Sequence, residues 1–146
     1  MSESWSILVP VDPSFVPSED QQQKSWHTFV TYVPEAVARW EIDEHPCFVD
    51  AGGNWSGVSC PRCGAALDEW WSHAVDTAYK SQFEDLQVTV PCCGTLQSLN
   101  DLDYRWAVAF ARSRLVVEGS PEIPSGVIDR IEGHLGRPLR VVLRHV

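Results

Sequence analysis

Apolar residues recur at period two in the opening segment, where Trp5, Ile7, Val9 and Val11 alternate with Ser4, Ser6 and Leu8. That spacing predicts a first strand, and Pro10, Pro13 and Pro17 predict an irregular connection after it. The period then changes to that of a helix. Trp26, Phe29, Val30 and Val33 share one helical face, Ser18-Glu19-Asp20-Gln21 reads as a capping box, and Pro34 ends the run. Alternation returns at Ala38, Trp40 and Ile42, and Cys47-Phe48-Val49 after Pro46 reads as a further strand. Asp50-Ala51-Gly52-Gly53-Asn54 is a turn by composition.

The middle of the chain is organised around cysteine. Cys60-Pro61-Arg62-Cys63-Gly64 is answered by Pro91-Cys92-Cys93-Gly94. Between them Leu67, Trp70, Trp71, Ala74, Val75 and Ala78 make a helical stripe, which Tyr79 and Phe83 extend. Leu86, Val88 and Val90 then alternate into the second cysteine pair. The expectation is an inserted module at about 58–96, ordered knuckle, helix, strand, knuckle.

Ser98-Leu99-Asn100-Asp101 reads as an Asx-type turn, and Trp106 to Val117 as a two-sided apolar central strand. Ser120-Pro121-Glu122 reads as the start of a helix whose inner stripe is Ile128, Ile131 and Leu135 and whose end is Gly136. Leu139, Val141 and Leu143 alternate as a last strand. With the insertion set aside, the order is strand, helix, strand, strand, helix, strand. The expected class is therefore α+β: a ferredoxin-like (βαβ-βαβ) two-layer sandwich, a single domain over 1–146, with an inserted zinc-knuckle module that contains a helix.

Composition adjusts this picture without replacing it. With 44% hydrophobic residues the chain has material for a real core. The formal net charge is −9 and the pI about 4.8. That balance disfavours nucleic acid as a partner and suits a basic protein partner. Arg137, Arg140 and Arg144, with Arg112 and Arg114 beside them, are the residues from which a local basic patch would be built. No apolar run approaches the length of a membrane span. Met1-Ser2-Glu3-Ser4-Trp5 lacks the pattern of a secretory signal, so a reducing, cytoplasmic setting is expected.

In that setting, two tight cysteine pairs among five cysteines point to a metal rather than a disulfide framework. The Cys60/Cys63 turn resembles the knuckle of rubredoxin-like and zinc-ribbon proteins. The likeness covers only Cys60 to Gly94 and implies that Cys60, Cys63 and Cys93 are ligands. The second pair departs from it, because two-residue spacing from Cys93 falls on Val90. Cys92 is the first choice for the fourth ligand, then His73, then Cys47 or His45, with Cys47 also read as a small buried hydrophobe. The expected metal site is thus Cys60, Cys63, Cys92 and Cys93 around a structural Zn2+. Iron and thioredoxin-type redox chemistry fit the broken second knuckle and the Pro61/Gly64 turn less well.

Hydrolase, deaminase, nucleophile-elbow and phosphate-loop motifs are missing from the sequence. His134 and His145 fall on different elements, and His27 reads as a surface histidine. The expected function is a zinc-stabilised protein-binding module, an adaptor, a regulator or an immunity-type antagonist, with Trp55 and Trp70 as candidate anchors. The alternative is a small zinc-dependent hydrolase whose metal keeps an open position.

Overall fold

A computed structural model describes residues 3–146; Met1 and Ser2, the first two residues of the segment read above for a signal, lie outside the described residues. Eight strands follow the chain as β1 (Ser4–Pro10), β2 (Ala38–Val49), β3 (Val58–Ser59), β4 (Gln87–Thr89), β5 (Leu96–Ser98), β6 (Asp103–Tyr104), β7 (Ala109–Glu118) and β8 (Leu139–His145). Three α-helices are α1 (Glu19–Tyr32), α2 (Asp68–Tyr79) and α3 (Val127–Leu135). The fold is α+β. Its four-stranded sheet has the order β2-β7-β1-β8, with every neighbouring pair antiparallel.

Alternation along β1 decides which core each residue joins. Leu8 packs with Leu115 and Val117 of β7 and with Phe29, Val33 and Ile131 of α1 and α3. Ile7 and Val9 point the other way and pack with Val116, Val142 and Val49. The Ser18 hydroxyl accepts from the Gln21 N–H at 3.1 Å, and the Gln21 side chain accepts from the Ser18 N–H at 2.9 Å, so the capping box forms. The Gln21 amide also donates to the Leu135 carbonyl at 3.2 Å, which ties the start of α1 to the end of α3.

Three local expectations are revised. The stripe of α1 buries Phe29 and Val33 as expected but takes Ser25 in place of Trp26, which is 42% exposed. Ser25 satisfies its hydroxyl by donating to the Gln21 carbonyl and accepting from the Trp40 indole, while Trp26 donates to the Ala38 carbonyl at the sheet edge. The strands expected at 38–42 and 47–49 are one strand, β2, whose register shifts between Ile42 and Cys47. Pro46 falls in that irregularity on an edge strand, where its missing N–H costs no ladder bond. Finally, α3 begins at Val127 rather than near Pro121. Pro124 disfavours helical backbone at Ile123, and Gly126 enters the helix with φ of 88°.

Between β2 and β7 the chain builds a third core. Val58, Cys60, Leu67, Ala74, Ala78, Phe83, Leu86, Val90, Leu99 and Leu102 are buried together, and Phe110 of β7 joins them. The Phe110 ring lies 5.1 Å from Phe48 and 5.2 Å from Phe83, so the central strand contributes directly to this core. Asn100, 2% exposed, makes the polar join. Its side chain donates to the Val11 carbonyl at 2.8 Å and accepts from the Phe110 N–H at 2.9 Å, and Arg140 donates to its carbonyl at 2.8 Å. The sequence marks 98–101 as a turn but does not reveal this role.

The expected stripe of α2 also stops early. The helix ends at Tyr79, which is 67% exposed, and the chain turns back with Gln82 and Phe83 at φ of 56° and 58°. The turn delivers the Phe83 ring to the core beside Phe110. No helix among the described residues is long and apolar enough to cross a membrane.

Candidate metal centre

Two turns of the same construction bring the thiols together. In the first, the Cys60 N–H donates to the Ala65 carbonyl at 2.9 Å and the Gly64 N–H donates to the Cys60 carbonyl at 2.9 Å. In the second, the Val90 N–H donates to the Thr95 carbonyl at 3.1 Å and the Gly94 N–H donates to the Val90 carbonyl at 3.0 Å. Gly64 and Gly94 have φ of 77° and 69°, the left-handed region in which a side chain is strained. The bridge from Ser59 to Ala66 closes the first turn, and the β4/β5 pair closes the second.

The sulfurs of Cys60, Cys63, Cys92 and Cys93 all lie within 4.8 Å of one another. Cys60 and Cys93 are 3.8 Å apart and Cys92 and Cys93 are 3.9 Å apart. Four zinc–sulfur bonds of about 2.3 Å in a tetrahedron place the sulfurs about 3.8 Å from each other. The cluster is therefore compatible with a zinc site, and its soft donors suit that ion. Neighbouring Cys92 and Cys93 both reach the cluster because the turn between Val90 and Gly94 is tight.

Protonation in the cluster is uneven. The Cys63 backbone N–H leads in holding the Cys60 thiol down to about 7, against the opposing effect of its burial. Thr95 holds Cys93 low as well, its hydroxyl lying 3.2 Å from the sulfur. Desolvation, then hydrogen bonds to Cys63 and Cys60, push Cys92 up to about 12. Thiolates packed this closely oppose one another's ionisation, and a dication relieves that opposition. Thr95 is a contributor that the cysteine spacing did not reveal.

The other candidates stay apart from the four sulfurs. His73 lies exposed on α2, and His45 pairs with Glu84 at 2.9 Å. Cys47 sits half-buried on β2, where desolvation first and then Asp43 push its thiol up. His134 meets Thr28 and His145 meets Ser4, each at 2.9 Å, at different places in the fold. Trp55 and Trp70 are both half-buried, and Trp55 packs on Trp71 with ring centroids 4.6 Å apart.

The arginines considered for a basic patch are each engaged. Arg112 donates to the Asp43 carbonyl, Arg114 pairs with Asp43 and Glu41, and Arg144 pairs with Asp50. Arg140 donates to the Asn100 and Val108 carbonyls, and Arg137 lies 3.8 Å from Asp12.

Fold and site together define an α+β chain with a possible four-cysteine metal site. Among known proteins, no family model, curated sequence or solved structure matches it.

Proposed function

We propose that this chain is a zinc-stapled protein-binding module, in which Cys60, Cys63, Cys92 and Cys93 hold one Zn2+ and the metal serves the fold. The observation that carries this is the convergence of four sulfurs from two turns that lie about thirty residues apart. Four thiolates fill a tetrahedron and leave no position for water, so the donor set favours a structural ion over hydrolysis. The sheet order β2-β7-β1-β8 supports a ferredoxin-like reading of the frame, with both sheet-covering helices in crossover connections. Half-buried Trp55 and Trp70 beside the insertion, and a net charge of −9, favour a basic protein as partner, bound in an adaptor, regulator or antagonist role.

Elemental analysis of protein purified without added metal tests the staple. One zinc per chain is expected. Cys60→Ser and Cys93→Ser should each lose it, while Cys47→Ser and His73→Ala should keep it. Protein that is folded without metal, or that retains zinc in both serine variants, rules the assignment out.

A further inference from the structure

Among the described residues, strand β4 pairs with β5 alone. Its bonds to β5 run through alternate residues: the Leu99 N–H donates to the Leu86 carbonyl at 2.9 Å and the Val90 N–H to the Thr95 carbonyl at 3.1 Å. Antiparallel ladders alternate bonded and non-bonded pairs. With Val88 opposite Gln97, the bonded residues are 86, 88 and 90, and the backbone of Gln87 and Thr89 turns away from β5. Asp85 takes the Gln87 N–H at 3.1 Å. The Gln87 carbonyl and both backbone groups of Thr89 remain for another strand.

Gln87, Val88 and Thr89 line a groove of about 580 Å³ whose other wall is α2. Trp70 and His73 line one part of that wall, and the small residues Ala74, Thr77, Ala78 and Ser81 continue it. The groove thus lies between the small side chains of α2 and the strand edge, and such an edge is where an extended segment adds. Carboxylates surround the groove. Asp85 lines it, and Glu69 and Asp76 are exposed on α2, each next in sequence to a lining residue. Among the described residues none of the three takes part in an ion pair. Lys80 offsets one of these charges, which leaves the groove acidic.

We infer that an extended, basic segment of a partner protein adds to the free edge of β4, with its backbone on Gln87 and Thr89, one side chain against Trp70 and its cations toward Glu69, Asp76 and Asp85. This rests on the protein-binding reading above and names the surface and the chemistry of the partner.

The probe is an acetylated and amidated peptide of alternating lysine and valine, titrated into the isotope-labelled full chain. The same series is run with glutamate in place of lysine, and with the lysine peptide N-methylated at alternate residues. The expected result is chemical-shift change centred on Gln87, Thr89 and the Trp70 indole. Exchange of the Thr89 amide should slow by about tenfold or more as it gains a strand partner. Binding should weaken roughly tenfold for the N-methylated peptide and for Thr89→Pro, both of which remove edge bonds.

Loss of zinc in Thr89→Pro would leave the N-methylated peptide as the deciding comparison. Absence of shifts at β4, equal binding of the glutamate peptide, or equal binding of the N-methylated peptide overturns the inference. So do β4 shifts that depend on protein concentration without peptide, since they would assign the edge to a second copy of this chain. Zinc is measured on the same sample. A zinc-loaded protein that ignores the peptide removes the groove and leaves the staple; a metal-free protein that binds it does the reverse.

Discussion

Val90 holds in the second turn the backbone position that Cys60 holds in the first. Each donates its N–H to the carbonyl five residues on, and each accepts from the N–H of a glycine four residues on. Both are buried in the same core. The second turn thus repeats the first with a valine where the first has a sulfur, and Cys92, at the position matching Arg62, brings the fourth sulfur to the cluster.

This equivalence predicts an exchange. Cys92→Ser should weaken zinc binding by about tenfold or more, because one thiolate is lost. Val90→Cys in the same chain should restore it, since a cysteine there recreates two-residue spacing to Cys93. Competition with a chromophoric chelator measures both. A double variant no better than Cys92→Ser would show that the two turns differ in side-chain direction.

Phe110 reaches from the sheet into the core around α2, fully buried against Phe48 and Phe83. Phe110→Ala should cost about 3–5 kcal/mol and lower the melting temperature by roughly 10 °C. The near-ultraviolet signal of Trp55 and Trp71 should collapse further than the helical signal, since α1 and α3 pack on the other side of the sheet. Equal loss of both signals would show that the two cores melt as one.

Gln82 and Phe83 are both left-handed, a conformation that costs an ordinary residue roughly 1–2 kcal/mol. Gln82 is exposed, so little opposes its replacement. Gln82→Gly should stabilise the chain by about 0.5–1 kcal/mol after the entropic cost of glycine. Phe83→Gly relieves the same strain but empties the core, and should destabilise by roughly 3 kcal/mol or more. Chemical denaturation of the pair gives opposite signs if strain and packing are balanced in this way.

Partial burial raises the Asp43 carboxyl, but hydrogen bonding and attraction from Arg114, 2.8 Å away, outweigh it and hold the group below its usual range. A folded value below the unfolded one means that the pair stabilises fully above about pH 4 and loses that contribution as pH falls through the lowered value. Asp43→Asn should therefore cost under about 1 kcal/mol at pH 7, because the carboxylate is partly exposed, and close to nothing near pH 2. Melting curves across that range check it. A constant gap between variant and parent would attribute the loss to packing.

What the sequence determined by itself was local. The Ser18/Gln21 box, the end of α1 before Pro34, the alternation of β1 and the Cys60–Gly64 turn each depend on residues within a few positions of one another. Short-range sterics and hydrogen bonds suffice to write them. Even at this range the α1 stripe holds Ser25 where the spacing puts Trp26, because a buried Ser25 looks polar until Trp40 supplies its partner.

Tertiary structure decided what depends on residues far apart in the chain. It brought Cys92 and Cys93 to Cys60 while leaving His73 and Cys47 elsewhere, and it made Asn100 the polar join between Val11, Phe110 and Arg140. It also left one edge of β4 open beside α2. Such choices follow from which apolar faces bury each other, and burial belongs to the packed whole.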